Sequence, residues 1–123
     1  MVMSHPKFTG SILIVVYFLD IEISSSGPAG TRQFPLMGLY MLTSQRIKHF
    51  PVYKKTDDER YLFLGPTGYW RIGPDTRTFK GSGLRFPEKN PTLPAPPFSG
   101  WQFWDGRWKD DFDIIFDTSG RAN

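Results

Sequence analysis

The stretch Arg60-Tyr61-Leu62-Phe63-Leu64-Gly65-Pro66-Thr67-Gly68-Tyr69-Trp70-Arg71-Ile72-Gly73 decides the fold. Aromatic and aliphatic residues fill both ends, and Gly-Pro-Thr-Gly divides them. Such residues suit a pleated, half-buried surface, and the two glycines are free to take positive φ in a turn. The pattern predicts two strands joined by a tight connection. In the first, Tyr61 and Phe63 share one face while Leu62 and Leu64 share the other. Both faces are apolar, which puts this strand in the middle of a sheet. In the second, Trp70 and Ile72 oppose Tyr69 and Arg71.

Toward the N-terminus, Pro51 to Lys55 reads as a strand with Pro51 at its first position, where no ladder donor is needed. Leu36 to Thr43 reads as another strand. Ser44 to Lys48 and Thr56 to Glu59 are polar turns. The four runs begin near 37, 51, 60 and 69, and the last three recur about every nine residues, the rhythm of an antiparallel meander. Toward the C-terminus, Thr76 to Phe86 is polar and glycine-rich, with Phe79, Leu84 and Phe86 as apolar anchors. Pro87, Pro91, Pro94, Pro96 and Pro97 then make a stiff strap across the sheet. A polyproline II ligand is the competing reading of this segment. The strap leads to Trp101-Gln-Phe-Trp-Asp-Gly-Arg-Trp108, where Asp105-Gly106 predicts a tight type I′ hairpin turn, with Trp108 returning opposite Phe103 or Trp104. Trp101 and Phe103 then face one side, Gln102 and Trp104 the other. Lys109 to Phe116 adds an edge strand. The expected fold is all-β: a small antiparallel meander of four strands plus a C-terminal aromatic hairpin, with a loosely attached N-terminal segment.

Residues 1–35 stand apart. Ser11 to Leu19 is the most apolar run, too short for a transmembrane helix of about 20 residues. It reads as a buried strand, with Ile21 and Ile23 extending an alternation, or as the core of a signal peptide ending near residue 26. A poorly ordered extension is the third reading. Ser24 to Gln33 is a linker by composition, because small polar residues cannot offset ordering entropy by burial. The expected boundaries are therefore 1–35 for this segment, 36–116 for the β domain and 117–123 for a frayed tail.

Length and composition agree with one small domain. Hydrophobic residues make up 39% of the 123, but aromatics reach 16%, so a few large rings can fill a small core. The absence of cysteine removes disulfides, thiolate catalysis and the commonest structural zinc sites. It favours a cytoplasmic protein, whereas a cleaved signal peptide would make it a secreted one. Net charge is +3 and uneven: residues 37–100 carry ten basic and five acidic side chains, and residues 101–123 carry three and five.

The strand runs also carry a resemblance. Gly38-Leu39-Tyr40, His49-Phe50-Pro51-Val52-Tyr53-Lys54, Tyr61-Leu62-Phe63, Gly68-Tyr69-Trp70-Arg71-Ile72-Gly73 and Trp101 to Trp108 together resemble a small β module of eukaryotic proteins, often repeated or joined to other domains. The resemblance implies a sheet and a boundary before residue 37, and no reaction. In that module Asn-Gly precedes the Pro-Val-Tyr strand. Lys48-His49-Phe50 stands here instead, so a glycine turn is missing. Proline-binding WW modules also use two tryptophans on a small sheet, but theirs lie closer in sequence than Trp70 and Trp101.

No arrangement of nucleophile, base and acid emerges, so no catalytic residue, cofactor or metal site is expected. An enzyme would need a cleft joining His49 to an acidic partner. Asp110, Asp111 and Asp113 lack the alternation and closing Glu of a calcium loop and read as a charged edge. Aromatic residues are the better candidates, because an indole offers a donor and a broad apolar face. Trp70 and Trp101 are expected in the core. Trp104 and Trp108, with Tyr69, Arg71 and Arg107, form the candidate ligand-binding set. The expected function is a non-catalytic binding or interaction module whose partner is a glycan, a peptide or a protein. The alternative is nucleic-acid binding through the basic centre.

Overall fold

In a computed structural model, residues 20–76, 83–89 and 95–118 are described. The apolar run 11–19, Phe79, Pro91, Pro94 and the tail 119–123 lie outside them. The regular structure is nearly all β. The strands are β1 (Ile21–Ser25), β2 (Gly38–Ile47), β3 (Phe50–Lys55), β4 (Tyr61–Leu64), β5 (Trp70–Gly73), β6 (Leu84–Arg85), β7 (Gln102–Trp104), β8 (Trp108–Asp110) and β9 (Ile114–Asp117). A short helix, α1 (Ala29–Arg32), and a 3-10 turn (Phe34–Leu36) connect β1 to β2. No helix among the described residues is long and apolar enough to cross a membrane.

All the strands belong to one antiparallel sheet in the order β8-β7-β6-β5-β4-β3-β2-β1-β9. The sheet therefore has nine strands rather than four, β1 to β8 in meander order and β9 added beside β1. β4 sits at its centre, where its two apolar faces place it. β6 and the hairpin β7–β8 continue the meander, and β1 enters between β2 and β9.

The period-two alternation of each strand builds the core. Cross-strand partners run Phe116 to Ile23, Ile21 to Tyr40, Leu42 to Tyr53, Tyr53 to Leu62, Leu62 to Ile72, Ile72 to Leu84 and Leu84 to Phe103. Apart from the half-buried Leu42, all are buried, on the inner side of a curled sheet. Trp70 and Trp101 join them, at 0% and 1% exposure. The Trp101 ring stacks on Phe116, with centroids 4.0 Å apart and planes 10° from parallel. Such a pair contributes about 0.5–1.5 kcal/mol beyond its burial. It joins the two ends of the sheet order, and the Phe116 N–H donates to the Phe98 carbonyl across the same seam. The Trp101 indole donates to the Pro97 carbonyl. Residues 95–100 thus form the strap that seats Trp101.

The N-terminal boundary moves. Residues 20–36 are part of the packed body, not a linker. Ile21, Ile23, Ala29 and Leu36 all lie in the core. Asp111, at 4% exposure, holds this segment: its carboxylate accepts from Ser25 Oγ at 2.8 Å, from the Ala29 N–H at 2.9 Å and from the Asp113 N–H at 2.9 Å. A Cβ on Gly27 would stand 2.5 Å from Asp111 Oδ1. The small residues that looked like a linker are the ones that let the backbone close on this carboxylate. Asp111 is accordingly not part of a charged edge. It splits Lys109–Phe116 into β8 and β9, and β9 pairs with β1 instead of extending the hairpin.

Two turns differ from expectation. β2 continues to Ile47 through an irregularity between Leu42 and Arg46, where Thr43 Oγ1 donates to the Val52 carbonyl. The turn is Lys48-His49, both at positive φ (50° and 74°), between paired Ile47 and Phe50. That is the conformation for which hairpins use Asn-Gly. β3 starts at Phe50, so Pro51 is its second residue. In the tryptophan hairpin, Trp104 pairs with Trp108, one of the two expected registers, so the loop has three residues instead of the two of a type I′ turn, and Gly106 takes the positive φ.

Candidate functional site

The outer face of the sheet from β5 to β8 carries polar and aromatic side chains in register. Arg71 pairs with Arg85, Arg85 with Gln102, Gln102 with Asp110, and Trp104 with Trp108. The inward neighbours Ile72, Leu84 and Phe103 are buried, so alternation directs this row outward.

The row is linked. Arg85 Nε donates to Gln102 Oε1 at 3.0 Å, and Gln102 Nε2 donates to Asp110 Oδ1 at 3.0 Å. The Arg85 guanidinium lies 4.4 Å from the Trp108 ring centroid. Trp104 meets Trp108 edge to face, with centroids 5.4 Å apart. Trp108 is half-buried, and Trp104 is 44% exposed. The Arg85 side chain is thus fixed by a hydrogen bond at one atom and a cation–π contact on its plane.

Beside this row lies a groove of about 200 Å³, lined by Thr67, Tyr69, Arg71, Arg85, Phe86 and Pro87. Its shape follows from the Gly65–Gly68 turn on one side and the Phe86 backbone, bonded to the Trp70 carbonyl, on the other. A Cβ on Gly68 would touch the stem of Lys89 at 3.5 Å, so a third basic residue borders the turn. Burial and the adjacent Arg85 charge pull the Arg71 pKa below the ordinary guanidinium value. An arginine so far from neutrality stays cationic. Two like charges directly opposite on neighbouring strands repel.

The structure thus gathers Tyr69 and Arg71 in one groove and connects it, through Arg85, to Trp108 and Trp104. Arg107 stands apart, exposed at the hairpin tip and not among the groove residues. Sequence reasoning missed Arg85, and it read Phe86 as an apolar anchor, as its packing against the core bears out, without placing it in the groove. Their signal was the short alternation Leu84-Arg85-Phe86, hidden in a polar segment.

A second concavity, about 360 Å³, is lined by Phe34, Pro35, Met37, Lys55, Asp57 and Asp58. Its charges are already satisfied locally: Lys55 with Asp57, and Asp58 with Arg60. The neighbouring cations hold both carboxyl groups below the usual aspartate range. His49 is exposed at the β2–β3 turn. No group of three or more His, Cys, Asp or Glu among the described residues is placed to hold a metal. No protein-family model, no curated protein and no solved structure matches the chain.

Proposed function

We propose that this protein is a non-catalytic binding module. Its ligand, a glycan or an extended peptide, lies along the outer face of β5 to β8. One observation carries this reading: the Arg85 guanidinium is locked between Gln102 and Trp108, and the groove opens on one side of it and the exposed Trp104 on the other. A cation held rigidly loses little entropy on binding. An exposed indole with one edge against another indole offers a flat apolar contact.

The test is a glycan and peptide array with the whole chain, then the hits with Trp104→Ala. Binding should weaken about 10- to 100-fold, the usual range for loss of a central aromatic contact. Near-ultraviolet dichroism from the buried Trp70 and Trp101 should persist. Trp101→Ala, which removes the stack on Phe116, should instead cost the fold. Equal binding by wild type and Trp104→Ala would refute the site. Affinity that falls steeply with salt toward single-stranded RNA, with no glycan or peptide hit, would favour the nucleic-acid alternative.

A further inference from the structure

We propose that the Arg71–Arg85 groove is an anion subsite, and that the ligand is an acidic glycan whose sulfate or carboxylate group enters it. This rests on the binding reading above and narrows it.

Three observations converge. First, the two guanidiniums are cross-strand partners and line one groove of about 200 Å³, the size for a single substituent and its sugar ring rather than a long backbone. The described residues that line it include no carboxylate. Second, the arrangement carries a standing electrostatic cost. The like-charged pair sits on adjacent strands, and burial together with Arg85 already depresses the Arg71 pKa. A bound anion between the two forks turns that repulsion into attraction, and guanidiniums match planar or tetrahedral oxyanions through paired N–H donors.

Third, Arg85 is fixed in advance. Its Nε donates to Gln102 and its plane lies against Trp108, so the side chain that lines the groove is held in one place. The flanking surface favours a sugar over a nucleic-acid strand. The Gln102–Asp110 pair offers polar groups for hydroxyls, and the Asp110 carboxylate stands in the same outward row, which disfavours a continuous chain of phosphates. Tyr69 and Phe86 supply the apolar walls.

The experiment uses the full chain. Sulfated, carboxylated and neutral oligosaccharides of matched backbone are compared on wild type, Arg71→Gln/Arg85→Gln and, as a control, Lys48→Gln, an exposed cation at the β2–β3 turn. Acidic oligosaccharides should bind wild type and the control, and bind the double variant about 10- to 100-fold more weakly, as for a lost charge-assisted hydrogen bond. Inorganic sulfate, added to wild type alone, should compete with the acidic glycan. This arm needs no variant to fold.

Equal binding of neutral and acidic glycans, unchanged in the double variant, overturns the anion subsite while leaving the binding module intact. Failure of inorganic sulfate to compete also overturns it. Binding only to phosphopeptide or RNA overturns the glycan assignment. Loss of every ligand from Trp104→Ala but none from the arginine variant separates the two proposals.

Discussion

Replacing Asp111 by alanine should be among the most damaging single changes in the molecule. The carboxylate is 4% exposed and accepts three hydrogen bonds, from Ser25 Oγ, the Ala29 N–H and the Asp113 N–H. A hydrogen bond to a charged acceptor contributes about 1.5–3 kcal/mol, and a buried donor left without a partner costs about 1–3 kcal/mol. The three bonds share one acceptor and are not additive. Ala29 is fully buried, so no water replaces the acceptor of its N–H. A loss of about 3–4 kcal/mol follows, a large share of the roughly 5–15 kcal/mol that a domain of this kind holds. Asp111→Asn should lose less, because its amide oxygen can still accept one or two of the bonds. Ser25→Ala should lose about 1 kcal/mol, and the Ser25→Ala/Asp111→Asn pair should couple in a double-mutant cycle. Urea unfolding followed by tryptophan fluorescence measures all of these. A loss below about 1 kcal/mol for Asp111→Ala would refute the reasoning, since only solvated or unformed bonds are so inexpensive to remove.

The Lys48-His49 turn makes the opposite prediction. Each non-glycine residue in the left-handed region costs about 1–2 kcal/mol, so Lys48→Asn/His49→Gly should raise stability by about 1 kcal/mol after the entropic cost of glycine, and an unchanged or lower melting temperature would count against it. Acid should destabilise the protein in a defined window. Asp57, Asp58 and Asp105 have depressed carboxyl pKa values, held down chiefly by hydrogen bonds from Lys55, Arg60 and Lys109 respectively. Their contribution is complete above the ordinary aspartate value of about 3.9 and is lost as pH falls below it toward the folded-state values. Melting temperatures should therefore hold steady down to about pH 4 and then fall, with a shallower fall in Asp57→Asn.

Much of the sheet was legible because its strands alternate. Tyr61 to Leu64 identified the central strand by being apolar on both faces, and Trp101 and Phe103 shared a side before any partner was known. What escaped has a physical reason in each case. β1 pairs with β9 across some 90 residues, and no local pattern encodes a pairing at that distance. β6 is two residues long, below the length at which alternation can be read. The Ser24–Gln33 segment looked like a linker because composition reports how much apolar area a segment can bury. It does not report that a distant Asp111 needs small neighbours. The turn at 48–49 hid because Lys and His are poor formers of the shape they adopt.

The candidate site divides along the same line. Arg71 lies on β5, whose alternation could be read, and Tyr69 immediately precedes that strand, so the sequence placed them together on one face. Arg85 lies on the strand that could not be read, yet it is the residue that ties Arg71 to the tryptophans. Arg107 was grouped with them on nearness to Trp108 in sequence, and the three-residue loop carries it to the tip. The inner row of rings already fills the core, so the outer row is not needed for packing. Threonine or valine at 71 and 85 would suit the strands better and repel nothing. Two arginines in register, one of them clamped by Gln102 and Trp108, are a stability cost that an anionic ligand would offset, and an Arg85→Thr variant that is more stable but binds less is the combination this argument requires.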